Sequence, residues 1–196
     1  FDSTALTITI ASSTSGVTSG STTNDASIAV TFTTSESTTG FAADDVVVSG
    51  GTLTNFAGSG TAYTATFTPS ADGATTIDVA ANKFTDGAGN SNTAATQFAW
   101  TYDGTGPTVA ITSTASDPAS SSTIVVTITF SESTSNFVNS ELTLSGATSS
   151  LSGSGTTYTA TLTPSADGTV TVDVGAGVAT DAYGNANTAA TQFSIV

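Results

Sequence analysis

GSGTAYTATFTPSADG at residues 58–73 returns as GSGTTYTATLTPSADG at residues 153–168, and this pair decides how the chain is read. The offset is 95, and TDGAGNSNTAATQF at 85–98 returns at the same offset as TDAYGNANTAATQF at 180–193. Further out, SEST at 35–38 matches 131–134 at offset 96, and FDSTALTITIAS at 1–12 matches YDGTGPTVAITS at 102–113 at offset 101. The offset changes only between matched blocks, as it does when insertions fall in loops. The 196 residues are therefore read as two copies of one unit, 1–101 and 102–196. Phe1-Asp2 corresponds to Tyr102-Asp103, so the sequence starts and stops in phase with its repeat, as two units of a longer tandem array do. It opens on Phe1 with no basic and apolar leader and reads as a mature or excised piece.

Within each unit the apolar residues alternate with a period of two, and no stretch sustains a helical period. Seven strands are predicted in the first unit, with inward residues Leu6-Ile8-Ile10, Ile28-Val30-Phe32, Val46-Val48, a short one from Leu53 to Phe56, Tyr63-Ala65-Phe67, Ile77-Val79 and Phe98-Trp100. The second unit repeats them as Val109-Ile111, Ile124-Val126-Ile128-Phe130, Leu142-Leu144, one near Leu151, Tyr158-Ala160-Leu162, Val170-Val172-Val174 and Phe193-Ile195. Short alternating strands bounded by turn residues, in units of this length, give an all-β fold of two tandem seven-stranded immunoglobulin-like β-sandwiches. Threonine fills the outer faces because it joins β propensity to polarity. The outward pairs Thr64-Thr66 and Thr159-Thr161 suggest a flat hydroxyl array, but a twisted sandwich sheet argues against an ice-binding role.

Composition removes most chemistry. The chain has no His, Cys or Met, Lys83 is its only base, serine and threonine exceed a third of the residues, and the formal net charge is −14. Such a charge repels nucleic acid and anionic membrane surfaces. Without His or Cys there is no Ser-His-Asp or Cys-His pair, no zinc or copper site and no disulfide framework. No segment has the apolar length of a transmembrane helix. The Lys-poor, acidic, hydroxyl-rich composition points to an extracellular or cell-surface protein without enzymatic activity.

SEST, GFAADDVVVSGGTL at 40–53, the two TPSADG blocks, TDGAGN and TDAYGN, and the junction YDGTGPTV at 102–109 together resemble the bacterial immunoglobulin-like repeats of large surface adhesins and cell-envelope proteins. The resemblance covers both units end to end and implies a stalk of linked sandwiches, commonly stiffened by calcium at the junctions. It departs at residue 6, where Leu6 stands in place of Pro107.

Tracing the strands up and down sorts the acids. The start of the first strand, SEST, GSG and the TDGAGN-type loop fall at one end of each unit, and the PSADG turn and the chain exit at the other. At the junction this brings together Asp72, the linker acid Asp103, Glu132, Asp181 and Asn185, with Asp2, Glu36, Asp86 and Asn90 as the matching set in the first unit. Several carboxylate and amide oxygens on loops are what Ca²⁺ requires, and a cation reverses the repulsion of bundled anions. For Asp86 and Asp181, turn chemistry stands evenly beside ligation, since Asp caps its own backbone in Asp-x-x-Gly-Asn. Glu36 and Glu132 are favoured as ligands by position, whereas Asp72 and Asp167 fit a Pro-initiated turn better. Asp103, in a Gly-rich linker, gains little locally and is favoured as a ligand.

Asp44-Asp45, read as strand neighbours, point to opposite faces and form no convergent pair. Asp78 and Asp173 are read as water-facing, and Lys83 as a solvated charge. The functional expectation is a structural stalk repeat whose partners are neighbouring repeats of the same chain, with no membrane insertion by this segment. The alternatives are a filament or surface-layer subunit of identical chains, and a glycan- or protein-binding module using its loops and exposed Tyr183.

Overall fold

A computed structural model describes residues 2–196; Phe1, and with it half of the Phe1-Asp2 match, lies outside the described residues. The chain forms two compact units, dividing after Gly104. Both are all-β.

In the first unit, β1 (Ile8–Ser12), β3 (Ile28–Thr34), β7 (Ala62–Pro69) and β6 (Gly51–Ser59) form one sheet in that order. The other sheet runs β2 (Thr22–Thr23), β10 (Phe98–Tyr102), β8 (Gly73–Val79), β5 (Val46–Ser49). Neighbours are antiparallel except β2, which lies parallel to β10. A small ladder joins β4 (Thr38–Thr39) to β9 (Thr85–Asp86). Strand alternation places Ile28, Val30 and Phe32 inside at 1% exposure or less, facing Ile77, Val79 and Trp100 from the other sheet. Burying such side chains stabilises the fold by about 1.5–3 kcal/mol each. The seven predicted strands are β1, β3, β5, β6, β7, β8 and β10. The three additional strands are two residues long, too short to show a period.

The second unit has β11 (Val109–Ser113), β12 (Ile124–Thr134) and β14 (Ala147–Pro164) in one sheet and β13 (Leu142–Ser145), β15 (Val170–Val174) and β16 (Phe193–Ile195) in the other. Six strands replace the seven expected, because β14 runs unbroken through the residues matching both β6 and β7. The reversal inside it uses Gly153, at φ 106°, where a Cβ would lie 2.5 Å from the Thr157 carbonyl. Gly58, at φ 141°, where a Cβ would lie 2.4 Å from the Ala62 carbonyl, does the same between β6 and β7. That close approach explains the repeated GSG.

Aromatic rings close the loop-bearing end of the first sandwich. Phe41, from the GFAADD segment, packs on Phe84 at 4.4 Å, Tyr63 at 4.9 Å, Phe56 at 5.2 Å and Phe32 at 5.7 Å between ring centroids. Tyr63 Oη bonds Thr38 Oγ1 at 2.6 Å, tying this cluster to the SEST segment. Phe137, Phe130 and Tyr158 form the matching group in the second unit, with Tyr158 Oη and Thr134 Oγ1 at 3.1 Å. No helix among the described residues is long and apolar enough to cross a membrane.

Candidate metal centre

In the first unit four chain segments meet above the aromatic cluster. Ser35 donates its N–H to Thr7 O at 3.0 Å and accepts the Thr7 N–H on Oγ at 3.1 Å, which ties the first strand to SEST. Thr93 donates to Leu6 O at 2.8 Å, adding the loop after β9. Thr38 donates to Gly60 O at 3.0 Å, adding GSG, and Thr38 stands opposite Asp86 in the β4–β9 ladder. Leu6 is fully buried. Its counterpart Pro107 is buried too, and its carbonyl accepts the Thr188 N–H at 2.9 Å. The two residues therefore hold one place in the fold despite their different chemistry.

This convergence brings one carboxylate oxygen each of Asp2, Glu36 and Asp86 within 4.8 Å of one another. Asp2 is exposed, with Oδ1 accepting the Thr4 N–H at 2.9 Å, and Glu36 is half-buried. Asp86 is buried at 3% exposure. Its Oδ1 accepts the N–H groups of Ala88 at 2.8 Å and Asn90 at 2.9 Å, and its Oδ2 accepts Asn90 Nδ2 at 2.8 Å. Asn90 thus orients the Asp86 carboxylate. That hydrogen bond leads the causes that hold the Asp86 pKa below its ordinary value; burial opposes it, and the backbone N–H groups add to the lowering. Glu36 moves the other way: the Asp2 charge, then burial, then the Asp86 charge push its pKa up. Three oxygen donors of like charge, with no nitrogen or sulfur among them, fit a hard divalent cation of the Ca²⁺ class.

In the second unit Asp181, at 6% exposure, repeats the turn: Oδ1 accepts Tyr183 N–H at 2.8 Å and Asn185 N–H at 2.9 Å, and Oδ2 accepts Asn185 Nδ2 at 2.9 Å. Burial pushes its pKa up, but the Asn185 side chain and the backbone donors outweigh it and the net shift is downward. Glu132 lies half-buried near the end of β12. The turn role is thus present on both Asp86 and Asp181. Asp103 follows β10 and donates its N–H to Thr23 O at 3.0 Å. Asp72 accepts the Gly104 N–H on Oδ1 at 2.7 Å, which gives it a structural task at the chain exit of the first unit.

Asp44 and Asp45 are not on a strand. They lie in a 3₁₀ turn, Ala43–Asp45, where Asp45 Oδ2 caps the Ala42 N–H at 3.0 Å. Glu141 repeats this cap on Val138 at 2.7 Å. Asp78 and Asp173 are half-buried and accept Gln97 Nε2 at 2.8 Å and Gln192 Nε2 at 3.4 Å. The Lys83 side chain is exposed.

Sequence reading missed Asn92 and Asn187, the polar pivots of this end. Asn92, at 2% exposure, accepts the N–H groups of Lys83 and Phe84 and donates to Ala80 O and Thr93 O. Asn187 makes the same four bonds with Val178, Ala179, Gly175 and Thr188. Their signal was the second Asn of GNSNT and GNANT, inside a repeated block.

A family model described as bacterial Ig-like domain matches residues 2–102 and again residues 103–196. No curated protein matches. Among solved structures, that of the Yersinia pseudotuberculosis adhesin InvE is similar at 13% identity and a TM-score of 0.31, over 97% of this chain and 58% of that one.

Proposed function

The chain belongs to the bacterial Ig-like domain family, in two tandem copies, and on that premise we propose that it is a non-catalytic spacer from a secreted or cell-surface bacterial protein, of the stalk type found in adhesins. The observation that carries this reading is that each copy has its own complete core, and that in the first repeat Asp2, Glu36 and Asp86 gather at the end where the chain enters. Extension of a stalk needs self-contained modules, which the two separate cores supply.

Calcium is the controlling ion in this proposal. Asp2, Glu36 and Asp86 hold it in the first repeat, with Asn90 fixing the Asp86 carboxylate. Asp103, Glu132 and Asp181, with Asn185, are their counterparts in the second, and Asp103 belongs to the linker. Bound Ca²⁺ supplies positive charge that turns mutual repulsion into attraction and so limits hinge freedom. Affinity of about 10⁻⁴ to 10⁻³ M matches extracellular modules.

Small-angle scattering of wild type and Asp103→Ala, each in calcium and in chelator, tests the proposal. Calcium should lengthen wild type toward a rod and leave the variant shorter, with equal ionic strength held by monovalent salt. Superimposable curves for all four samples refute calcium stiffening.

A second reading rests on Tyr183, which is 43% exposed on the loop where the first repeat has Ala88. An exposed ring on a loop suits sugar stacking. A glycan array decides it: binding that disappears in Tyr183→Ala favours a recognition module, and an empty array favours the spacer.

A further inference from the structure

The two repeats differ in what lies along the last strand of their second sheet. In the first unit, residues 19–23 run beside β10. Gly20 donates to Ala99 O at 2.7 Å, Ala99 to Ser19 Oγ at 3.4 Å, Thr101 to Ser21 O at 2.9 Å and Asp103 to Thr23 O at 3.0 Å. Val17, two residues before this segment, is buried in the core at 3% exposure. The β10 edge is thus paired along its length.

The second repeat lacks the chain length to do this. Fifteen residues, 13–27, separate β1 from β3, but only ten, 114–123, separate β11 from β12. Just past β16, Val196 is covered: its carbonyl accepts the Ala119 N–H at 2.6 Å and its N–H donates to Asp117 Oδ1 at 3.1 Å. Ser194, two residues back and the counterpart of Ala99, presents its backbone groups to the same side. Among the described residues nothing pairs with them there.

Beside this edge a groove of about 370 Å³ runs between β11 and β16, walled by Val109, Ile111 and Phe193, with no charged residue in its lining. The missing cover shows in the burial. Phe193 and Val109 are half-buried, whereas Phe98 and Ile8, in the same places of the first unit, are 5% and 4% exposed.

We propose that the β16 edge and its groove form a strand-accepting site for an extended, uncharged peptide segment of small hydroxyl residues carrying one branched apolar side chain. The segment lies parallel to β16, as β2 lies parallel to β10. The first repeat identifies the occupant, because Val17-Thr18-Ser19-Gly20-Ser21-Thr22-Thr23 is what the same fold places on the same edge. Main-chain hydrogen bonds to an open edge supply affinity, and the groove beside it supplies selectivity. An acidic segment is repelled by a chain of net charge −14, and the uncharged groove offers a basic one no partner.

The test uses the whole two-repeat protein and a capped heptapeptide of sequence VTSGSTT, followed by amide NMR and hydrogen exchange. Shifts should centre on Ser194, Phe193, Val109 and Ile111, and exchange of the Ser194 amide should slow at least tenfold with peptide bound. Ser194→Pro removes the edge donor and should weaken binding tenfold or more. A second variant, with residues 114–123 replaced by the 13–27 segment, fills the edge from within. It should abolish peptide binding and protect the Ser194 amide with no peptide present. Unmoved shifts at millimolar peptide, or equal binding by the loop-replaced variant, overturn the proposal. So does a Ser194 amide already protected in a protein that sediments as a dimer, since a second copy then holds the edge.

Discussion

Asn92 reaches twelve residues back to the carbonyl of Ala80, its Nδ2 donating at 2.8 Å, and Asn187 makes the matching bond to Gly175 at 2.9 Å. In each repeat one buried amide satisfies two donors and two acceptors of loop backbone that no strand can reach.

Asn92→Ala should therefore lower the stability of the first repeat by about 3 kcal/mol, since two N–H groups and two carbonyls lose their partner where water enters poorly. Asn187→Ala should do the same to the second. Denaturant unfolding measures both, and a loss under about 1 kcal/mol contradicts the pivot role.

Acid should act through Asp86 and Asp181. Their folded-state pKa values lie below the ordinary 3.8, so their stabilising contribution is present above that value and is lost as pH falls through the depressed folded value. Melting temperature should drop in that acid range. Asp86→Asn and Asp181→Asn should flatten the drop while lowering stability at neutral pH.

Glu36 has the opposite sign. Its folded pKa is raised above 4.5, so ionising it opposes folding, and the penalty is relieved as pH falls toward that value. In chelator, the first repeat should gain stability between neutral and weakly acid pH. Glu36→Gln should give this gain at neutral pH and blunt the response to calcium. If Glu36→Gln destabilises in chelator, the Asp2–Glu36–Asp86 group is not repulsive.

Phe41→Ala should cost about 3–5 kcal/mol in the first repeat, because Phe41 is 7% exposed and touches four rings. It should also weaken calcium binding, since the cluster supports the SEST segment through Tyr63 and Thr38. Isothermal titration separates the two effects.

The sandwich was legible because strands such as Ile28 to Phe32 must alternate to bury one face, and two copies of the pattern make it unambiguous. Asp2, Glu36 and Asp86 were placed at one end by tracing strand directions alone. What escaped depends on tertiary partners. Phe41 and Phe84 stand alone in loops, so no period marks them as core. Asn92 looks like any turn residue until four backbone groups surround it. Asp45 was read as a strand residue because its cap on Ala42 is a local bond that competes with the alternation of Val46 and Val48. The change of offset from 101 to 96 was visible, but its effect on the β10 and β16 edges required the hydrogen bonds.

Trp100, the single tryptophan, lies at 3% exposure in the first core with its ring edge-on to Phe67 at 4.7 Å, and Ile195 holds its place in the second. Indole emission is therefore a reporter on one repeat only: excited selectively, it stays blue-shifted until the first core opens and is blind to the second. Comparing that signal with far-ultraviolet dichroism, to which every strand contributes, separates the melting of two nearly identical modules in an unlabelled chain.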